Sequence, residues 1–220
     1  MRKLLASDYA RGMEALRNRE HGKHALVIGN SPWRKHFPVS AWFGPTIACN
    51  AYYRDADRFP SYIVAFDSNM IRELVEAHAY RDAACVFRAN ECRPKVLESV
   101  PAEERGQWFH LDDPSFDPER RGAFGSQAGT LAVVLAGWLG CASLTLVGFS
   151  LSLANIYAGS KEYGNATPTE DNPGSRGQDF SRMRKALEEF GRLSPGASIH
   201  WIAPGEWMLA KLDQGAVAVR

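Results

Sequence analysis

Small and polar residues directly follow the short apolar runs of this 220-residue chain. In chain order, the main ones are Gly29, Asn30, Ser31, Asn50, Asp67 and Ser150. An asparagine amide both donates and accepts hydrogen bonds, which suits ribose hydroxyls or the edge of a base. An aspartate carboxylate suits a hydroxyl or a metal ion. If the apolar runs are parallel strands, these residues meet at one sheet edge, where open α/β sheets bind their ligands.

The turn GNSP at 29–32 also has a purely structural interpretation. Glycine lets either a ligand or a neighbouring backbone approach closely, and Asn30 can cap the element that follows. In the same way, Asp67 is a suitable N-cap for a helix at 69–80. The turn matches neither G-x-G-x-x-G nor a Walker loop, which excludes those two phosphate-binding fingerprints. Spacing alone therefore leaves a nucleotide site and a plain turn both open.

A candidate phosphate site lies at the start of the segment GSQAGTLAVVLAGWLG, residues 125–140. Ser126 can cap a helix that runs to residue 139, and Gly140 suits the end of that helix. Backbone N–H groups in a first helical turn attract anions, so a phosphate could bind beside Ser126, Gln127 and Gly129. The apolar body of this helix predicts a buried core element rather than a binding surface.

The elements that must position these residues alternate between short apolar runs and helical segments. We predict strands at 25–28, 46–49, 62–66, 84–87, 108–111, 144–147 and 198–202. We predict helices at 7–19, 69–80, 126–139, 179–193 and 206–212. Buried-type strands that alternate with helices are typical of a parallel sheet covered on both faces. The fold class is therefore α/β, with a Rossmann-like, mostly parallel sheet and helices on both faces.

Length and composition suit one domain over residues 1–220. We interpret it as a Rossmann-like nucleotide-binding domain because polar residues follow its predicted strands. Residues 151–178 are polar and irregular, and we interpret them as a lid-like insert. With 26 basic and 25 acidic residues, the chain lacks the positive charge typical of nucleic-acid binding. No apolar stretch is long enough to cross a membrane. The four cysteines have no metal-ligand spacing, so we expect reduced thiols, no bound metal and a cytoplasmic protein.

Three stretches in this order resemble the small bacterial sialyltransferases. They are the strand and GNSP turn at 26–32, the strand that ends in Cys49-Asn50, and GTLAVVLAGWLGCASLTLVGFSLS at 129–152. The resemblance extends to a related domain of flagellin-modifying glycosyltransferases and archaeal hydroxymethylpterin diphosphokinases. It covers roughly residues 25–70 and 125–205. Two departures are that the turn is one glycine shorter and that Ser150 stands where the family often has aspartate.

The resemblance implies a glycosyltransferase that uses a nucleotide-sugar donor, such as a CMP-sugar, and a small-molecule or glycan acceptor, with no required cofactor. The resemblance implies that Gly29, Asn30, Ser31 and Asn50 contact the nucleotide and that Gln127 and Gly129 lie beside its phosphate. Ser126, at the start of a helix, and Ser150, after a strand, are further candidates for the same binding site. The resemblance implies that Tyr157 and Tyr163 support the leaving phosphate. The candidate catalytic residues are Asp67, Tyr157 and Tyr163. The sialyltransferases use a histidine in the insert as general base, but no histidine lies between His110 and His200. The remaining candidates for the base are Asp67, His36, His110, Glu162, Glu170 and Asp171.

Two other functions stay open. The diphosphokinase-like relatives imply that Asp67 holds Mg²⁺ and a nucleoside triphosphate, which makes Mg²⁺ the cofactor of a phosphotransferase. Alternatively, the chain is a nucleotide-binding module without catalysis. Trp201 and Trp207 near the C-terminus also leave open a homo-oligomer.

Overall fold

The computed structural model describes residues 10–31, 34–35, 37–56, 58–87, 96, 98–111, 116, 127–149 and 176–202. Eight strands form one sheet, and all of its described pairings are parallel. The strands are β1 (Arg11–Gly12), β2 (His24–Ile28), β3 (Thr46–Cys49), β4 (Tyr62–Ala65), β5 (Ala84–Phe87), β6 (Trp108–His110), β7 (Ser143–Val147) and β8 (Ser198–Ile202). Their order across the sheet is β1-β6-β5-β4-β3-β2-β7-β8.

Three α-helices and several 3-10 helices connect the strands in the described part of the chain. The α-helices are α1 (Ser68–Glu76), α2 (Ala128–Trp138) and α3 (Arg176–Leu193). The 3-10 helices are Met13–Leu16, Val39–Ala41, Asn50–Asp55, Ala79–Arg81 and Ala102–Gln107. Residues of α2 are buried along nearly its whole length, which explains why its sequence is apolar all round.

The strand side chains alternate between two hydrophobic layers, one on each face of the sheet. Val27 and Ile47 belong to the layer that contains α2 and α3. Leu26 and Ile28 point to the opposite face, where they pack with Val39 and other residues that follow β2. Helices cover both faces of a parallel sheet, so the predicted α/β fold is confirmed.

The strand order changes direction between β2 and β7. The chain adds β3, β4, β5 and β6 on one side of β2, whereas β7 and β8 lie on the other side. The segment after β2 packs on one face, through Val39, and the helix after β7, α3, packs on the other. In open α/β sheets, connections that diverge in this way flank the place above the strand ends where ligands bind, and we call this place the crevice.

The helix predicted at 7–19 is wrong within the described residues. Arg11–Gly12 is an edge strand that pairs with Phe109 and His110, and a 3-10 helix follows at Met13–Leu16. Met13 and Leu16 are both buried as expected. Their spacing of three residues fits one turn of a 3-10 helix as well as an α-helix, so the periodicity does not separate the two.

Smaller differences occur at the ends of two predicted helices. The helix expected at 69–80 ends at Glu76, because His78 adopts a left-handed backbone (φ 52°) and a 3-10 helix takes its place at Ala79–Arg81. Helix α3 begins at Arg176 rather than at residue 179.

Parts of the prediction lie outside the described residues. They include residues 151–175 of the lid-like insert and the helix at 206–212, so these and the single-domain assignment remain predictions. In the part of the chain that the structure describes, no helix is both long enough and apolar enough to span a bilayer.

Candidate functional site

The ends of β2 and β7 contact each other directly. The Gly29 N–H donates to the Val147 carbonyl at 2.8 Å, and the Ser31 N–H donates to the Gly148 carbonyl at 2.9 Å. A Cβ atom on Gly29 would overlap the Gly148 carbonyl oxygen and lie 2.9 Å from its carbon. The neighbouring backbone therefore requires glycine at position 29. The sequence had left open whether this glycine makes room for a ligand or for a neighbouring backbone, and the structure shows the backbone.

The ring of Phe149 brings the start of α2 to the same place. A Cβ atom on Gly129 would lie 2.9 Å from Phe149 Cε1, and one on Gly29 would lie 3.2 Å from Phe149 Cδ2. The Phe149 ring thus occupies the space that the two glycines leave. The structure brings Gly29, Gly129 and the Gly148 turn together at the crevice, while their contact with a nucleotide remains a prediction.

The predicted asparagines lie at the same level on neighbouring strands. Ile28 pairs with Ala48, so Asn30 and Asn50 each follow a paired position by two residues. Since neighbouring strands are about 5 Å apart, both side chains start from adjacent points of the sheet edge. The amide oxygens of both residues are buried. The structure therefore brings these two predicted residues together beside the crevice.

Asn50 has an unusual backbone conformation. Its φ is +51°, in the left-handed region, and its side chain is almost fully enclosed, with 9% of the residue exposed. Residues other than glycine seldom adopt this conformation, although asparagine tolerates it best. Such conformations cluster at binding sites, where the surrounding structure holds them in place.

Asp67 follows β4, one strand away from Asn50. It is the N-cap residue of α1, as expected, yet its side chain makes no capping hydrogen bond. The residue is exposed. Its carboxylate is thus presented to solvent at the same edge of the sheet as the two asparagines.

Helix α2 begins at this edge because it leads into the amino end of β7 and runs antiparallel to the strands. Gln127 is its N-cap residue, and its side chain makes no capping hydrogen bond. The Thr130 hydroxyl donates to the Gln127 carbonyl at 2.9 Å. The backbone N–H groups of the first turn and the positive end of the helix dipole favour an anion here.

Arg34 is a charged residue at the crevice that the sequence analysis missed. Only 4% of it is exposed, and its Cζ atom lies 4.5 Å above the ring centre of Tyr52. A Cβ atom on Gly148 would lie 2.9 Å from Arg34 Cβ. Burial raises the pKa of the Cys49 thiol to about 12, while the nearby Arg34 charge acts in the opposite direction. The only local signal was an arginine shortly after a strand end.

A second missed group consists of Tyr53, Arg54 and Glu73, which we call the Glu73 cluster. The Tyr53 hydroxyl donates to Glu73 Oε1, and Arg54 donates to both carboxylate oxygens, from Nε at 2.6 Å and from a terminal nitrogen. Burial alone would raise the pKa of Glu73, but the hydrogen bonds from Arg54 and Tyr53 lower it. Burial and the Glu73 carboxylate raise the pKa of Tyr53. Because the pKa of Glu73 is lowered and that of Tyr53 is raised, the cluster favours a stable Arg54–Glu73 ion pair over proton transfer between Tyr53 and Glu73.

Several predicted residues are not described by the structure. Among the site residues these are Ser126, Ser150, Tyr157 and Tyr163, and among the candidate bases they are His36, Glu162, Glu170 and Asp171. His110 is described: it is the last residue of β6, is 9% exposed, and lies three strands away from β3. The structure therefore places His110 at the same edge but away from the asparagines. Within the described ranges, no three histidine, cysteine or acidic residues form a group that could hold a metal ion.

The sequence matches no protein-family model and no curated protein. The structure is similar to the α-2,3/8-sialyltransferase CstII, with a TM-score of 0.52, 13% sequence identity, and coverage of 86% of this chain and 84% of that chain. A complex of CST-II with a trisaccharide acceptor and CMP gives the same four values. CstII from Campylobacter jejuni in complex with the substrate analogue CMP-3FNeuAc gives a TM-score of 0.50 at the same identity and coverage. The chain therefore has an α/β fold similar to that of the sialyltransferase CstII.

Proposed function

We propose that this chain binds a CMP-type nucleotide sugar at the crevice between β2 and β7 and transfers the sugar to an acceptor hydroxyl. The observation that carries the proposal is the convergence of Asn30, Asn50 and the start of α2 on the point where the strand order reverses. The fold similarity to a sialyltransferase supports the same assignment, since that protein was studied in complex with CMP and with a trisaccharide acceptor.

In this proposal the strand ends bind the nucleoside and the helix binds the phosphate. The Asn30 and Asn50 amides contact the base or ribose, because each supplies a donor and an acceptor. Ser31 and the first turn of α2, from Gln127 to Gly129, bind the phosphate. We assign Ser126 and Ser150 to the same role because each directly adjoins, in the sequence, a segment at this edge. Arg34 adds a positive charge at the same edge, where an anionic ligand benefits from it.

The proposed chemistry is a direct displacement. An acceptor oxygen forms a bond to the anomeric carbon of the sugar, the bond from that carbon to the phosphate oxygen breaks, and CMP leaves. In this proposal Tyr157 and Tyr163 support the departing phosphate, and the part of the predicted insert that precedes α3 closes over the site and excludes water. A base must accept the proton of the acceptor hydroxyl. Asp67 is the proposed base because its carboxylate is exposed at the same edge. The reaction needs no cofactor.

The test compares two asparagines that share a left-handed backbone. Asn50→Gly keeps that backbone accessible and removes the side chain with its amide, so we expect CMP affinity without Mg²⁺ to fall by about tenfold or more, a loss of at least ~1.4 kcal/mol. Asn18 has a φ of +57° and lies next to Gly140, at the other edge of the sheet. Asn18→Gly is the matched control and should leave CMP affinity unchanged. Equal affinities of all three proteins, measured by calorimetry, would contradict the proposal.

The exposed carboxylate of Asp67 also favours a second candidate, a phosphotransferase in which Asp67 binds Mg²⁺ with a nucleoside triphosphate. Thermal-shift measurements separate the two functions. Stabilisation by CMP without metal supports the glycosyltransferase. The phosphotransferase is supported if ATP or GTP stabilises the protein only when Mg²⁺ is present and if this stabilisation is lost in Asp67→Asn. CMP binding without turnover across a panel of donors indicates a nucleotide-binding module.

A further inference from the structure

We propose that the residues of the Glu73 cluster are positioning residues, which hold Asn50 in its ligand-binding conformation by fixing the segment after β3 against α1. The part of this proposal that concerns the ligand rests on the proposed function. The part that concerns the backbone of residues 50–55 does not.

The cluster joins two segments that follow neighbouring strands. The 3-10 helix Asn50–Asp55 begins directly at the end of β3, and α1 begins one residue after Asp67, at the end of β4. Glu73 lies in the second turn of α1, and Tyr53 and Arg54 lie in the 3-10 helix. One carboxylate therefore connects the element that starts with Asn50 to the element that follows Asp67.

The geometry of the cluster restricts orientation as well as distance. Arg54 donates to both oxygens of Glu73, and the Tyr53 hydroxyl adds a third hydrogen bond to the same carboxylate. A guanidinium that binds both oxygens of a carboxylate in a fork allows few relative orientations. Arg54 and Glu73 are also largely shielded, with 23% and 16% of their side chains exposed. Solvent therefore weakens this pair less than a surface ion pair.

The segment needs such a restraint because its first two residues depart from helical geometry. Asn50 has a φ of +51°, and Ala51 has φ −82° and ψ 16°. Tyr52 is buried on the face that contains Leu26, Ile28 and Val39. The next residue, Tyr53, packs against the layer that contains α1. These two groups of buried residues are neighbours on one face of the sheet, since Ala48 of the first pairs with Ile63 of the second. The segment packs against both, and the Glu73 cluster adds polar contacts to this apolar packing.

The matched control is the ion pair between Arg81 and Glu104. Arg81 donates to both oxygens of Glu104, at 2.9 and 3.2 Å, and so repeats the arginine–glutamate fork. It lies at the opposite edge, since Arg81 ends the 3-10 helix that precedes the start of β5. Glu73→Gln and Glu104→Gln therefore remove the same charge from two arginine–glutamate forks at opposite edges of the sheet, of which the Arg81 pair is the more exposed.

The experiment measures hydrogen exchange of amides 50–55 without ligand and CMP affinity by calorimetry. In Glu73→Gln we expect exchange in this segment to be about tenfold faster. We expect CMP affinity to be about tenfold weaker, by analogy with metal sites, where removing a residue that orients a ligand costs about 10–100-fold in affinity. Glu104→Gln should change neither value. If Glu73→Gln does not fold, Tyr53→Phe, which keeps the Arg54 pair, is measured in the same way with smaller expected shifts in the same direction.

Each result decides one part of the proposal. Unchanged exchange at residues 50–55 in Glu73→Gln overturns it, whether or not CMP binds. Faster exchange with unchanged CMP affinity shows that the cluster holds the backbone but does not position a ligand residue. If the unaltered protein does not bind CMP, the proposed function and the ligand part fail together. The exchange measurement still decides the backbone part.

Discussion

Replacing Gly29 with alanine should both destabilise the protein and disturb the crevice. Gly29 does not have a positive φ, so alanine can adopt its backbone conformation and the substitution tests only the added methyl group. That methyl group would overlap the carbonyl oxygen of Gly148 and lie 2.9 Å from its carbon. Both are backbone atoms, so no flexible side chain can move away, and the ends of β2 and β7 must separate.

The expected loss follows from the contacts at this point. An added group in a tightly packed place costs about 1–3 kcal/mol. The hydrogen bonds from Gly29 to Val147 and from Ser31 to Gly148 would also weaken, and each contributes about 0.5–1.5 kcal/mol to stability when it is intact. Alanine restricts the unfolded chain and offsets about 0.4–1 kcal/mol. The net effect should be about 2–4 kcal/mol, which corresponds to a decrease in Tm of about 4–16 °C for a chain of this size.

The assay is chemical denaturation of Gly29→Ala beside Gly191→Ala. Gly191 lies within α3 and is exposed, and a Cβ atom there would meet nothing within 4 Å. Gly191→Ala should therefore stabilise the protein by about 0.5–1 kcal/mol, because alanine is the better helix former. Both substitutions replace a glycine with an alanine, but they should change the free energy of unfolding in opposite directions. A Gly29→Ala protein as stable as the parent would refute the close approach of β2 and β7.

Two further predictions concern titratable groups. Burial, followed by the charge of His200, lowers the pKa of His24 below its usual 6.5. The unfolded chain therefore binds a proton at this histidine more readily than the folded protein does. The contribution of His24 to the free energy of unfolding should be at its maximum above pH ~6.5 and should decrease as the pH falls below that value. His24→Gln should flatten this dependence in denaturation curves measured from pH 5 to 8. Burial raises the pKa of Cys49 and of Cys141 to about 12. Neither thiol should react with a thiol reagent at pH 8 until denaturant is added, and rapid labelling of either in the native protein would contradict the buried core.

Most of the sheet could be predicted from the sequence because fully buried strands are local signals. The run at 144–147, for example, is apolar except for Thr145 and lies between a predicted helix and a glycine. Strand β1 could not be predicted in this way. Arg11–Gly12 contains no apolar residue, and its strand conformation depends on pairing with Phe109 and His110, nearly one hundred residues away. Pairing over such a separation leaves no local pattern.

The candidate site shows the same division between local and distant information. The position of Asn30 and Asn50 after a strand was sufficient to select them, since parallel strand ends meet at one edge. The reason for Gly29 was not visible, because its neighbour Gly148 follows a strand that is distant in sequence. Glu73 was also missed, because a glutamate within an amphipathic helix looks like any solvent-exposed residue until Arg54 is placed beside it.

A crystal structure of the protein with CMP tests the central claim most directly. We expect the nucleotide to lie across the ends of β2, β3 and β7, with hydrogen bonds from its ribose or base to Asn30 and Asn50. Its phosphate should lie within hydrogen-bond distance of the first turn of α2. A nucleotide bound elsewhere, or none at saturating CMP, would contradict the account.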